Sequence, residues 1–176
     1  LVLRPADAVE TAECWALAVA KADGPSLLAL SRQNLPQVRT GAAENLSVKG
    51  AYRLRAASAA RRVVLVATGS EVAIALGAAE RLEAAGIGAD VVSMPCWSRF
   101  DAQPAAYRDD ILPDDALIVS VEAGTTIGWE RYTGRKGLRI GLDRFGASAP
   151  AEVLYDHFGL TPDAIASRVL SHIKGD

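Results

Sequence analysis

The sequence predicts an α/β fold built around a mostly parallel β-sheet. Short, unbroken apolar runs rich in β-branched residues, such as residues 63–67, are typical of strands buried on both faces. They alternate with segments of helical period, such as residues 71–82, and a second apolar run follows at residues 89–94. Hydrophobic residues make up 50% of the chain, which is enough for a substantial core.

The first 31 residues predict a β-α-β unit. Residues 1–3 resemble the end of a strand already under way, which together with a first residue other than Met favours a piece of a longer protein. Asp7 and Glu10 have capping-box spacing at the start of a helix, and residues 26–30 form the next strand. The apolar stripe expected to face the core consists of Val9, Ala12, Ala16 and Val19, with Trp15 beside it.

Residues 31–36 leave the carboxyl end of the second strand, the edge at which open α/β sheets bind ligands. Residues 37–49 are mostly small and polar, which predicts a linker that wraps over a surface. Residues 51–55 alternate apolar and basic side chains, which is typical of a half-exposed edge strand.

A tight turn joins the strand at residues 63–67 to the next helix. Ser70 is expected to be the N-cap of that helix. A glycine turn before a helix can hold an anion, but residues 68–71 lack both the GxGxxG fingerprint and the P-loop lysine. A structural turn is therefore favoured over a phosphate site.

The rest of the chain continues the α/β pattern. We expect a short helix from residue 101 to about residue 110, a strand over 117–121, a short helix over 126–132, a strand over 138–142, and closing helices over 150–158 and 162–174. Thr161 and Pro162 give the last helix an N-cap followed by proline at its first position.

Composition excludes several functional classes. The net charge of −2 gives no reason to expect nucleic acid or an acidic membrane as partner. No apolar run is long enough to span a bilayer, and Arg4, Asp7 and Glu10 interrupt any signal peptide. Cys14 and Cys96 lie outside any CxxC pattern, so we expect structural thiols in a reducing cytoplasm.

A few polar residues remain as candidates for binding or interface roles. His157, near the end of a helix, and His172, near the chain end, are expected to be structural and solvated, respectively. Glu122 and the pair Asp143-Arg144 lie where an α/β domain could bind a ligand, but a salt-bridged interface is the favoured role.

Seven short motifs carry a family resemblance: RPAD at 4–7, SRQNLP at 31–36, ATGSEV at 67–72, FDAQP with YR at 100–108, VEAG at 121–124, DRFGASAP at 143–150 and FGLTP at 158–162. In this order the sequence resembles the carboxyl-terminal part of a transketolase. The resemblance implies a three-layer α/β/α sandwich with a mostly parallel, five-stranded mixed sheet, preceded by a β-α-β remnant. Residues 1–45 resemble the tail of the pyrimidine-binding domain and a linker, and residues 46–176 resemble the transketolase C-terminal domain.

The resemblance also implies a function for the parent protein. Transketolases transfer a two-carbon ketol unit from a ketose phosphate to an aldose phosphate, in the pentose phosphate pathway and the Calvin cycle. They use thiamine diphosphate with Mg²⁺ or Ca²⁺ and act as homodimers. The catalytic, cofactor-binding and metal residues of the family lie upstream of Leu1, so none is assigned here. The chain alone is expected to bind no cofactor and to be inactive.

Arg32 is the one site residue that the resemblance assigns, as the arginine that binds the substrate phosphate. A guanidinium matches phosphate with two parallel hydrogen bonds, although spacing alone would favour a plain surface arginine. Two alternatives stay open. One is a non-catalytic structural or regulatory dimerisation module with an effector site near Glu122 or Thr68, and the other is a ketol transferase with a different acceptor.

Overall fold

Two sheets organise the chain in the computed structural model, which describes residues 1–175. The first sheet pairs β1 (Val2–Leu3) with β2 (Leu27–Leu28) in parallel, and helix α1 (Ala8–Ala20) connects them. The second sheet has five strands: β3 (Tyr52–Arg55), β4 (Arg61–Ala67), β5 (Gly88–Ser93), β6 (Leu117–Val121) and β7 (Leu138–Ile140). Their order is β3-β5-β4-β6-β7, with β3 antiparallel and the others parallel. The predicted fold class and β-α-β unit are confirmed.

Helices cover both faces of the five-stranded sheet. They are α2 (Glu71–Ala84), α3 (Trp97–Asp101), α4 (Ala105–Ile111), α5 (Glu130–Thr133), α6 (Ala151–His157) and α7 (Pro162–Lys174). A 3₁₀ helix, Leu46–Lys49, lies before β3. Within residues 1–175, no helix is both long enough and apolar enough to span a bilayer.

The apolar run of β4 is buried on both sides because successive side chains point to opposite faces. Val63 and Leu65 belong to the core under α2 and α7, whereas Val64 and Val66 belong to the core under α3, α4 and α5. Each of these four side chains is fully buried. This explains why the central strands are continuous apolar runs rather than alternating ones.

Strand β3 is an antiparallel edge strand, as the alternation of residues 51–55 predicts. It pairs with β5, with Tyr52 opposite Ser93. Tyr52 is buried, and the next three residues of the strand are half-buried.

Three local predictions are wrong. The helix expected over residues 101 to about 110 is α4, which begins only at Ala105, because Asp101 ends α3 and its carboxylate accepts from Arg131 and Tyr132 rather than capping α4. The helix expected from residue 126 begins at Glu130. Ser70 has helical backbone angles and makes no capping bond in the described chain, since its hydroxyl donates to Glu71 Oε1 at 2.7 Å.

Helix α1 buries a different face from the predicted one. Ala12, Ala16 and Val19 are exposed, and Trp15 is 54% exposed. The buried residues are Glu10, Glu13 and Cys14. The two carboxylates are buried because distant polar groups, absent from the local pattern, pair with them.

Candidate functional site

The carboxyl edge of the five-stranded sheet is where the two sheets meet. Glu122, directly after β6, accepts two hydrogen bonds of 2.5 Å from the guanidinium of Arg4, which lies directly after β1. Glu122 is only 4% exposed, and its carboxylate raises the pKa of Arg4. Glu122 is thus salt-bridged within the chain, to a partner 118 residues away, and the interface role expected for it stays a prediction.

The turn after β4 is hydrogen-bonded to Arg4, the same residue that pairs with Glu122. Gly69 N donates to the carbonyl oxygen of Arg4 at 3.1 Å, and Thr68 Oγ1 lies 3.3 Å from that oxygen. A donor already bound to a carbonyl is not available to a phosphate. The interpretation of residues 68–71 as a structural turn therefore agrees with the geometry.

A second polar cluster lies beside this ion pair. Tyr155 of α6 has its hydroxyl 3.0 Å from both Ser70 Oγ and Glu71 Oε1, and Gln33 Nε2 donates to it at 3.2 Å. Glu71 is 2% exposed, and burial raises its pKa. Burial and the neighbouring Glu71 carboxylate raise the pKa of Tyr155 to about 12. The hydroxyl of Tyr155 is therefore protonated at neutral pH.

Arg32 lies next to Gln33 on the segment that leaves β2, and its side chain is exposed. Among the described residues it has no ion-pair partner. A cavity of about 290 Å³, lined by Gln33, Tyr155 and the loop containing Gly146 and Ala147, adjoins this segment. Gln33, and not Arg32, is the residue of this segment that lines the cavity.

Glu10 joins α1 to the edge of the sheet. Its Oε1 accepts from Tyr52 Oη at 2.7 Å and from Ser93 Oγ at 2.5 Å, while Oε2 accepts from Ala6 N at 2.7 Å. The Asp7 cap is also formed, with Glu10 N donating to Asp7 Oδ1 at 2.9 Å. Burial raises the pKa of Glu10 despite these donors.

Glu13 holds the linker in the same way. Its Oε2 accepts from Ser47 N at 3.0 Å and from Ser47 Oγ at 2.7 Å, and its Oε1 is paired with the buried guanidinium of Arg39. Burial would raise the pKa of Glu13, but the donors of Ser47 and the ion pair with Arg39 outweigh it, so the pKa is lowered. We call the contacts of Glu10 and Glu13 the acidic seam. Two glutamates three residues apart on a helix were the only sequence signal for it.

Asp143 and Arg144 contact neighbouring segments of their own chain, and the salt-bridged interface expected for them stays a prediction. Asp143 accepts from Thr126 N at 2.8 Å and Thr126 Oγ1 at 2.7 Å, which lowers its pKa, and Arg144 lies 5.9 Å from the ring centroid of Phe158. The Asp143 carboxylate is thus hydrogen-bonded by the 124–128 loop rather than by a cationic side chain. In residues 1–175 neither residue belongs to an ion pair.

The remaining candidates have structural positions. His157 lies in the last turn of α6, as predicted. His172 is exposed, and its Nε2 is also 3.1 Å from Lys136 O. Cys14 and Cys96 are buried free thiols in one cluster with Leu3. Burial raises the pKa of Cys14 to about 12, which keeps it an unreactive thiol.

The described residues do not fit a thiamine diphosphate and metal site. No group of three or more His, Cys, Asp or Glu side chains in residues 1–175 could hold a metal ion. At the carboxyl edge, Glu122 is engaged by Arg4 and Glu71 by Ser70 and Tyr155.

Comparison with known proteins identifies the family. Residues 50–161 match the family model of the transketolase-like TK C-terminal domain. The chain belongs to the transketolase family. It is 51% identical over 175 residues to the transketolase of Sinorhizobium medicae and 52% identical over 175 residues to that of Rhodobacter capsulatus. These alignments cover 98% and 96% of this chain, but 25% and 26% of the relatives.

Solved transketolase structures have the same fold. A Pichia stipitis transketolase, crystallised with xylulose-5-phosphate, superposes with a TM-score of 0.90 at 39% identity over 98% of this chain and 25% of that one. The Leishmania mexicana transketolase gives a TM-score of 0.85 at 42% identity, over 95% of this chain and 24% of that one. This transketolase chain thus spans about a quarter of the length of its relatives.

Proposed function

We propose that the chain works as the carboxyl-terminal quarter of an enzyme that transfers a two-carbon ketol unit from a ketose phosphate to an aldose phosphate. The observation that supports this is the continuous match to transketolases at about half identity, over 98% of this chain and 25% of the relative. The isolated chain is inactive in this proposal, because the described residues do not fit the cofactor site. Thiamine diphosphate and Mg²⁺ or Ca²⁺ are held by the rest of the parent.

Arg32 binds the phosphate of the sugar in this proposal. Three observations support the role: Arg32 is exposed, it has no ion-pair partner in residues 1–175, and its neighbour Gln33 lines the cavity beside this segment. A charge-assisted hydrogen bond contributes about 1.5–3 kcal/mol, which corresponds to one to two orders of magnitude in binding.

The domain division is part of the same proposal. Residues 1–45 are the tail of the pyrimidine-binding domain with its linker, and residues 46–176 are the C-terminal domain. The exposed apolar face of the first unit supports this division: Trp15 is 54%, Val19 78% and Leu27 58% exposed. The rest of the pyrimidine-binding domain covers that face in the homodimeric parent. We place the parent in the cytoplasm, since two buried free thiols fit a reducing compartment, although the relative from Solanum tuberosum is chloroplastic.

A chimera tests the proposed activity. The chain replaces the matching quarter of the Rhodobacter capsulatus transketolase, and ketol transfer from xylulose 5-phosphate to an aldose phosphate is measured. We expect activity from the chimera, and none from the isolated chain or from the relative truncated before this quarter. A chimera that folds and binds thiamine diphosphate but transfers nothing would contradict the proposal.

Arg32→Ala in that chimera tests the site. We expect KM for the phosphorylated sugar to rise about 10- to 100-fold, and KM for an unphosphorylated sugar to stay unchanged. Equal effects on both substrates would remove Arg32 from the phosphate site.

A further inference from the structure

The segment that carries Arg32 is held to the rest of the chain at one polar point. The last strand bond before it joins Ala29 N to Leu3 O at 2.9 Å. After it, Val38 N and Arg39 N both donate to Asp7 Oδ2. Gln37 Nε2 also donates to Asp7 Oδ2, at 2.7 Å, whereas residues 30–36 make a single hydrogen bond within the described chain, from Gln33 Nε2 to Tyr155 Oη.

The Tyr155 hydroxyl is itself oriented by its surroundings. It has one hydrogen to donate. Ser70 Oγ and Glu71 Oε1, each 3.0 Å away, are the acceptors for that hydrogen, and Ser70 Oγ donates its own hydrogen to Glu71 Oε1 at 2.7 Å. The phenol oxygen is then left to accept from Gln33.

The ring of Tyr155 is equally fixed. It packs against the core under α2 and α7, and the chain after α6 returns to that core at Leu160, which is 1% exposed. The packed ring of Tyr155 therefore presents one oriented acceptor to residues 30–36, which make no other hydrogen bond within residues 1–175.

We infer that Tyr155 is a positioning residue for substrate binding: its hydroxyl fixes Gln33, and thereby holds the adjacent Arg32 where the sugar phosphate binds. This inference rests on the proposed function of Arg32. It gives the C-terminal domain a part in the substrate site, although α6 lies more than 110 residues further along the chain than Arg32.

The test is Tyr155→Phe in the full-length chimera, since this change removes one oxygen and keeps the ring. We expect KM for the phosphorylated sugar to rise about three- to tenfold, as for one neutral hydrogen bond, with kcat within about twofold. KM for an unphosphorylated sugar stays unchanged, because no phosphate is there to be bound. Gln33→Ala, at a half-buried position, gives the same result without touching the core.

Tyr107→Phe is the matched control. Its hydroxyl donates to Ala51 O at 2.8 Å on the opposite face of the sheet, so KM for both sugars stays at the parent value. Circular dichroism shows whether Tyr155→Phe is folded. If it is not, Gln33→Ala tests the positioning role in a protein whose core is unchanged.

A double-mutant cycle separates this inference from the proposed function. If Arg32→Ala alone leaves KM for the phosphorylated sugar unchanged, the proposed role of Arg32 is wrong. If Arg32→Ala raises KM while Gln33→Ala leaves it unchanged, the positioning role of Tyr155 is overturned. We expect Tyr155→Phe to add nothing to Arg32→Ala, and an additive effect would likewise overturn it.

Discussion

The acidic seam gives the most direct prediction for stability. Glu13→Ala removes the partner of Arg39, whose side chain is 7% exposed, and two hydrogen bonds to Ser47, which is fully buried. Removing one member of a buried ion pair costs about 3–5 kcal/mol, because the other charge stays buried. Arg39 keeps a 2.5 Å bond to Glu44 O, so we expect a loss near the lower end, about 3 kcal/mol.

Urea denaturation followed by circular dichroism at pH 7 measures this loss as a fall in the free energy of unfolding. Amide hydrogen exchange shows where in the fold the stability is lost, since α1 and the 3₁₀ helix Leu46–Lys49 should lose protection first. Glu80→Ala is the matched control, because Glu80 has a side chain 68% exposed and only a 3.7 Å contact with Arg55. We expect this control to change stability by less than about 0.5 kcal/mol.

The lowered pKa of Glu13 adds a pH dependence. An acid whose pKa is lower in the folded state stabilises the fold above its unfolded pKa of about 4.3, and this stability is lost as the pH falls through the folded value. The difference between the parent and Glu13→Ala should therefore shrink below about pH 4.3. A loss under about 1 kcal/mol at pH 7, or a difference that grows on acidification, would refute the account of Glu13 as a buried, ionised clamp.

Two further predictions concern Glu10 and Gly50. Burial raises the pKa of Glu10 in the folded state. The contribution of Glu10 to stability is therefore complete below its unfolded pKa of about 4.3, and it is lost as the pH rises through the folded pKa. Urea titrations between these two pKa values should show the parent losing stability relative to Glu10→Gln as the pH rises. Gly50→Ala should cost at least about 3 kcal/mol, measured by thermal unfolding, because φ is +81° and a Cβ would overlap the backbone nitrogen of Phe100. Gly41→Ala, with nothing within 4 Å, is the control.

Each of these two predictions has an outcome that would contradict it. A parent that gains stability relative to Glu10→Gln as pH rises would mean that the donors outweigh burial at Glu10. A Gly50→Ala protein as stable as its Gly41→Ala counterpart would mean that the close approach of the 3₁₀ helix to α3 is not tightly packed.

The strands of the central sheet were predictable from the sequence because their cause is local. A strand covered by helices on both faces is apolar at nearly every position: residues 63–67 are apolar throughout, and residues 117–121 are apolar except for Ser120. The last helix was predictable for the same reason, since Thr161 caps it through its own side chain.

The buried face of α1 could not be predicted because its cause is distant. Val9, Ala12, Ala16 and Val19 have the right spacing for a core stripe, but the face that is buried depends on which neighbours exist. Glu10 is buried by groups 42 and 83 residues further along the chain. The position of the Arg32 segment directly after a strand predicted that it lies at a carboxyl edge. Its contact with Tyr155 could not be predicted, because Tyr155 is 122 residues from Gln33 and the contact leaves no local pattern.

The pairing of distant residues has a consequence for recombination between relatives. The linker at residues 37–49 looks like a natural crossover point, since it joins two separate sheets. A crossover there would take Arg4 from one parent and Glu122 from the other, and would divide Gln33 from Tyr155 in the same way. Progeny would keep both matches only where the two parents carry the same partners. Exchanging the first β-α-β unit and residues 32–36 together with the five-stranded sheet keeps these pairs together.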